Sequence, residues 1–559
     1  MPDVSAFPQT ALRAPSQVMR LHRMGAAFPT RLSFLRVLLR RLASEGASMH
    51  RPVWNIDAKG HGHAVYTIPL GGHDYSLVAV STELPDDMRT DRVIATAWDT
   101  TYVLYDGIPD NCEIARIVAT APHQEAARFT ERDLILSRAN KSVRLFAYVV
   151  ESLRSGSQPD PQKIRDVGYL MRTTAVYGNG KFGIADRTLY AHRPGLSGAF
   201  AAEMLTVWLI RSFTHELAEH IGGVRLAPAL KRYLGIGNAT GLGMAPFLVT
   251  HPMLLNNWMM ARETALARVR ALPAVTRDQA AELRRLADRA AVHLTHWQMD
   301  APVHQARGDT LRAQWSQVRG WLDQGTLSAP QPLDLIMTRT EPLSRDVQEL
   351  TAALLIEPFG PLVDGLSDCM SDPFGPQQEQ IDTTDALRDT IEAQFDWALA
   401  CDFDDPAQRH RFWYVSAEKG EPRLGLRDQE PDAGLESPLD IAARVQALWQ
   451  ALPVQSQPLR EFRLCHPEHE LALTRVRCAA HAPYGEIRDN LIAADCLPID
   501  MLRCKLAFFG ATRFDPKSDR WTRITLAQGA PLPEDLGTPG ADDWWLPTGP
   551  TDTQTGDFA

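Results

Sequence analysis

Met171-Arg-Thr-Thr-Ala-Val-Tyr-Gly-Asn-Gly-Lys-Phe-Gly-Ile-Ala-Asp-Arg187 is followed by the run His215-Glu-Leu-Ala-Glu-His220 and then by Gly235-Ile-Gly-Asn-Ala-Thr-Gly-Leu-Gly243. Arg172 to Tyr177 reads as a strand that ends in closely spaced glycines, and the residues after Ser197 carry the apolar spacing of a long helix. A strand, a glycine-rich loop, a helix and a second glycine-rich loop in close succession give the chain an α+β reading.

Working outward, the N-terminal side is β-like. His63 to Pro69 and Tyr75 to Val80 read as strands joined by Gly71-Gly72-His73-Asp74, a hairpin signal, with further strands expected at Arg92–Ala97 and Thr101–Tyr105. Helices are expected at Asn111–Ala119 and Glu131–Leu153. The C-terminal side reads as helical over Ala199–His220, Pro246–Leu272, Thr276–Gln298, Thr310–Leu322 and Arg345–Ile356, and again over Thr384–Leu399 and Pro438–Leu452.

At 559 residues the chain exceeds the size of one ordinary domain. The expected division is a basic helical extension over 1–50, an α/β domain over 51–195, a helical domain over 196–330, a mostly helical connection over 331–455, a C-terminal α/β unit over 456–545 and a disordered tail over 546–559. His73–Val80 and Thr101–Gly107 resemble His469–Val476 and Lys505–Gly510 in pattern, which suggests that the two end units are a duplication flanking a central helical region.

A net charge of -10 argues against general nucleic-acid binding. Seven unevenly spaced cysteines do not form a disulfide framework, and no uninterrupted apolar run approaches the length needed to cross a bilayer. A cytoplasmic, soluble protein with neither nucleic acid nor membrane as partner is therefore expected, with the oligomeric state left open. The Arg-rich segment up to Leu42 admits a targeting or surface-binding reading, but a capped helix packed on the following domain explains it more simply.

Gly178-Asn-Gly-Lys-Phe-Gly183 lacks both Walker A and Rossmann spacing. Glycines at this density still let a turn aim several N–H groups at one anion, and Lys181 adds charge. Asn179, Lys181, Asp186 and Arg187 are the candidate ligand residues here. In the second loop, which precedes a helix expected from Pro246, they are Asn238 and Thr240. His215 and His251 are the candidate proton-transfer groups.

The 215–220 helix has Glu219 where the metalloprotease pattern requires a second histidine, so no metal site is expected there. Cys465-His-Pro-Glu-His469 and Cys478-Ala-Ala-His481 offer soft ligands in two pairs. A strand expected over Leu471–Arg477 would hold those pairs about 20 Å apart, too far for one ion. The expected function is an enzyme acting on a small anionic ligand or a phosphate-bearing cofactor whose identity the sequence leaves unknown. A non-catalytic scaffold and a metal-dependent enzyme using the 215–220 helix are the alternatives.

Overall fold

The computed structural model describes residues 12–89, 97–123, 130–178, 180–181, 192–238, 252–297, 299–370, 381–405, 411–415, 422–426, 437–438, 441–488, 498–510, 513–516, 522–539 and 541. Its centre is one sheet built from β1 (His50–Ile56), β2 (Gly62–Leu70), β3 (His73–Ser81), β4 (Thr100–Asp106), β5 (Asp133–Lys141), β6 (Tyr169–Gly178), β7 (Gly180–Lys181) and β8 (Gly235–Asn238). A separate small sheet is formed by β9 (Arg411–Val415), β10 (Pro422–Leu426) and β11 (Ser437–Pro438). The last two strands, β12 (Arg513–Pro516) and β13 (Thr522–Leu526), return to the first sheet, whose order is β1-β2-β3-β4-β5-β6-β8-β13-β12 with β7 also on β6.

Local chemistry explains the well-defined turns. Gly71 and Gly72 both have positive φ, 64° and 75°, and Leu70 pairs with His73, the two-residue turn whose twist matches an antiparallel hairpin. Helix α1 (Phe34–Ser44) buries Leu35, Leu38, Leu39 and Leu42, so the N-terminal Leu stripe packs on the fold as the sequence suggests. Helix α2 (Asn111–Thr120) starts where the Asp110 side chain accepts a hydrogen bond from Glu113 N at 2.9 Å. It covers one face of the sheet through Ile114 and Ile117, which pack with Val65, Val78 and Val103.

The other face carries α3 (Phe146–Arg154) and the 22-residue α4 (Ala201–Gly222). A short helix, α5 (Pro228–Tyr233), leads from α4 into β8, which lies parallel to β6. Beyond it, α6 (Pro252–Arg270), α7 (Arg277–Thr295), α8 (Pro302–Asp323) and α9 (Arg345–Ile356) form the helical part. Helices α10 (Glu470–His481) and α11 (Pro498–Phe509) come before the final hairpin. Residues from α1, the second sheet face and the helices packed on it, Leu35, Leu77, Trp208, Trp258, Leu350 and Phe508 among them, belong to one contiguous core, and the cluster under α2 is separate from it. The helical stretch Arg345–Cys369 has the length and composition of a membrane span, but 67% of its most apolar window is buried inside the fold.

Three expectations are corrected. The helix expected over Glu131–Leu153 is a strand, β5, followed by the shorter α3. β5 lies between β4 and β6 and is buried almost throughout, yet it carries Asp133, Ser137, Arg138, Asn140 and Lys141 beside a three-residue apolar run, Leu134–Leu136, so its sequence shows neither the period-2 alternation nor the continuous apolar stretch that marks a strand. The strand expected over Leu471–Arg477 lies in α10, and Lys505–Phe509 lies in α11. Both segments are therefore helical where a duplication of β3 and β4 requires strands. Third, the C-terminal hairpin does not build its own sheet: Thr525 and Leu526 pair with Gly237 and Ile236. The stretches 92–96, 246–251, 372–375, 428–436 and 546–559 lie outside the described residues.

The basic N-terminal segment is charged for an internal reason. Arg13 bonds both Glu263 and Glu349 at 2.7 Å, Arg23 and Arg262 also meet Glu349 at 3.0 and 2.6 Å, and Arg36 meets Glu357 at 2.7 Å. All of these groups are buried or nearly so. The three guanidiniums hold the Glu349 carboxyl well below the usual carboxylate range even though burial works the other way.

Candidate functional site

Strand pairing decides how the two glycine-rich loops are related. Tyr177 pairs with Leu136 of β5 on one edge of β6 and with Lys181 of β7 on the other, the edge that β8 occupies further back, where Thr173 faces Asn238. Lys181 and Asn238 thus lie along the same edge of β6, opposite positions four residues apart, or about 13 Å. Because β6 and β8 are parallel, the chain leaves both toward the same end of the sheet. Ligands of α/β folds commonly bind outside the carboxyl ends of neighbouring parallel strands.

The same end carries the Gly71-Gly72 turn, Asp106 at the end of β4 and the start of α4. Arg193 bonds Asp106 Oδ2 at 2.8 Å, and the Tyr75 hydroxyl donates to Pro194 O at 2.6 Å. These contacts fix the segment that leads into α4. Beside it a cavity of about 930 Å³ is lined by Gly195, Ser197 and Gly198 and by Arg31, Arg40 and Arg41 from and just before α1. Arg31 makes a two-pronged pair with Asp364 at 2.8 and 2.7 Å, Arg40 approaches the same carboxylate at 3.4 Å, and Arg41 bonds Glu45 at 2.7 Å. The lining holds three arginines with Asp364 and Asp368, and Glu45 beside Arg41 supplies a third carboxylate, so the wall is densely charged with both signs.

At this end His73 Nε2 also lies 2.7 Å from Asp106 Oδ1, with the imidazole two-fifths exposed. An exposed histidine held by a carboxylate has the orientation of a proton-transfer group. Sequence reading passed it over because His73 sits inside a hairpin signal and its partner is 33 residues away.

His215 is elsewhere. It lies 14 residues into α4, about 21 Å from the cavity end of that helix. It is 3% exposed, its Nε2 is 3.0 Å from Leu234 O, and burial pushes its pKa well below the ordinary histidine value. Arg211, one turn earlier, donates to the carbonyls of Lys231, Leu234, Ala530 and Pro531, and burial lowers its pKa to about 9. The pair satisfies carbonyls at the end of α5 and in the segment after β13.

The rest of the 215–220 helix is likewise engaged: Glu216 with Tyr66 and Arg51, Glu219 with Lys231 and Leu226 N, and His220 with Asp57 O. Lys181 and Asn238 are strand residues. Asn179, Asp186, Arg187, Thr240 and His251 lie outside the described residues. The glycines of β8 have a packing reason as well, because a Cβ at Gly237 would come within 2.7 Å of the Tyr169 ring.

A second polar cluster, at the opposite end of the sheet, was also not anticipated. Buried Asp99 accepts from Arg89 at 2.8 Å and lies 4.0 Å from Lys141 Nζ, which is 3.3 Å from Ser81 Oγ. Burial moves Lys141 down and Asp99 up. Ser81 and Lys141 are 2% and 6% exposed, so this is an ion pair that ties β3, β4 and β5 together.

No protein-family model matches this chain. No curated protein and no solved structure is significantly similar to it.

Proposed function

We propose that the protein is a cytoplasmic enzyme acting on a small anionic substrate or a phosphate-bearing cofactor, bound at the end of the sheet where β6, β7 and β8 finish. The observation that carries this reading is the coincidence, at one end of the fold, of the parallel β6–β8 pair and an arginine-lined cavity beside the start of α4. Arg40 and Arg41 supply positive charge, and Lys181 and Asn238 flank the strand ends. In this reading His73, oriented by Asp106, takes the proton-transfer role first assigned to His215, which is too deep and too distant to serve.

The test is a thermal-shift titration with inorganic phosphate, pyrophosphate, adenosine monophosphate and citrate. At least one anion is expected to raise Tm in the wild type, with the response lost in the Arg40→Ala/Arg41→Ala double variant. No response to any of the four, or an equal response in the double variant, would overturn the assignment.

A further inference from the structure

We propose that His466, Glu468 and His469 form a surface site for a divalent transition-metal ion of the zinc class. The site does not involve the cavity or the strand ends. Its backbone is a single 3-10 turn, Pro467–His469, between the helix Leu459–Cys465 and α10. Residues three apart nearly eclipse in such a turn, which puts His466 and His469 on the same side.

The side chains converge on one point. His466 Nδ1 lies 3.1 Å and His469 Nε2 3.8 Å from the same oxygen, Glu468 Oε1. One ligating atom from each of the three residues is within 4.8 Å of the other two. Bonds of about 2.0–2.2 Å in a tetrahedral shell place ligand atoms about 3.4 Å apart, so the observed spacings bracket what an ion requires.

The rings are also held in place. Phe462 is fully buried, and both imidazoles stack on it, His466 at 4.6 Å and 27° and His469 at 6.3 Å and 11°. This core-anchored platform limits the rotamers that an ion would otherwise have to select. Two nitrogens and one carboxylate oxygen form a donor set suited to zinc, nickel or copper and poor for magnesium. Three protein ligands leave room for water in the shell. Since α10 is a helix, Cys478 lies nine residues beyond His469, about 13 Å along its axis, and belongs to no common site.

The experiment is peptide-resolved histidine modification by diethyl pyrocarbonate under a zinc titration, with magnesium as control. Zinc is expected to protect His466 and His469 together, and magnesium to leave them reactive. Glu468 is 60% exposed, so Glu468→Gln should fold, and it is expected to raise the zinc concentration for half-protection by at least about tenfold. Equal reactivity with and without zinc, protection by magnesium, or an unchanged zinc requirement in Glu468→Gln would each overturn the proposal. Reading the two histidines individually keeps zinc bound elsewhere on the chain out of the result.

Discussion

The N-terminal segment carries two sets of arginines a few residues apart with opposite surroundings. Arg13, Arg23 and Arg36 point into the helical core and meet Glu263, Glu349 and Glu357. Arg31, Arg40 and Arg41 form part of a cavity wall, and Arg41 is 41% exposed. The difference teaches that an arginine's role here is set by how deeply its acid is buried: Glu349 and Glu357 are 0% and 5% exposed, Asp364 and Glu45 35% and 32%. Arg13 and Glu349 are 336 residues apart, so neither partner announces the other.

The sharpest way to break this comparison is to remove the shared acid. Glu349→Ala leaves Arg13, Arg23 and Arg262 without their common carboxylate and is expected to cost about 3–5 kcal/mol in urea denaturation. Arg41→Ala removes an exposed pair and should cost less than about 1 kcal/mol. Similar losses for the two variants would show that burial does not separate the sets.

A second measurement asks whether His215 is a core residue. Its folded-state pKa is depressed, so the folded protein keeps it neutral while the unfolded chain takes up a proton below its ordinary value near 6.5. Stability from this group is therefore complete above that pH and declines as pH falls, by up to about 1.4 kcal/mol per pH unit. Denaturation between pH 7 and 5 should show that slope, and His215→Gln should flatten it. An unchanged slope in the variant would return His215 to the list of accessible groups.

The smallest stability effect is expected at the strand ends. Lys181→Ala should weaken binding of whichever anion stabilises the protein, while Tm without ligand stays within the change given by about 0.5 kcal/mol. Wild-type affinity in the variant would remove Lys181 from the site.

Much of the fold was legible because local chemistry specifies it. The Gly71-Gly72 hairpin, α2 behind Asp110 and the span of α9 follow from residues next to one another. β5 is hidden from local pattern because its buried polar residues, Asp133, Ser137, Arg138, Asn140 and Lys141, are satisfied only by tertiary structure, and α10 because Leu471 to Arg477 is too short to establish a period. The candidate site was legible in part. The glycine-rich segments mark the strands β6 and β8, but that these two are parallel neighbours is not encoded in local pattern. The His73–Asp106 pair and the cavity arginines are brought together by tertiary structure alone.

The pairing of β13 with β8 has a consequence for how the protein is made. About 280 residues separate Asn238 from Thr522, and at about 5–20 residues per second a ribosome needs some 15–60 seconds to cross that interval. Until then the outer edge of β8 has open N–H and C=O groups, a template for pairing with another nascent chain. Truncation before Thr522 leaves that edge permanently open, so shortened chains should be more aggregation-prone than the loss of one hairpin suggests.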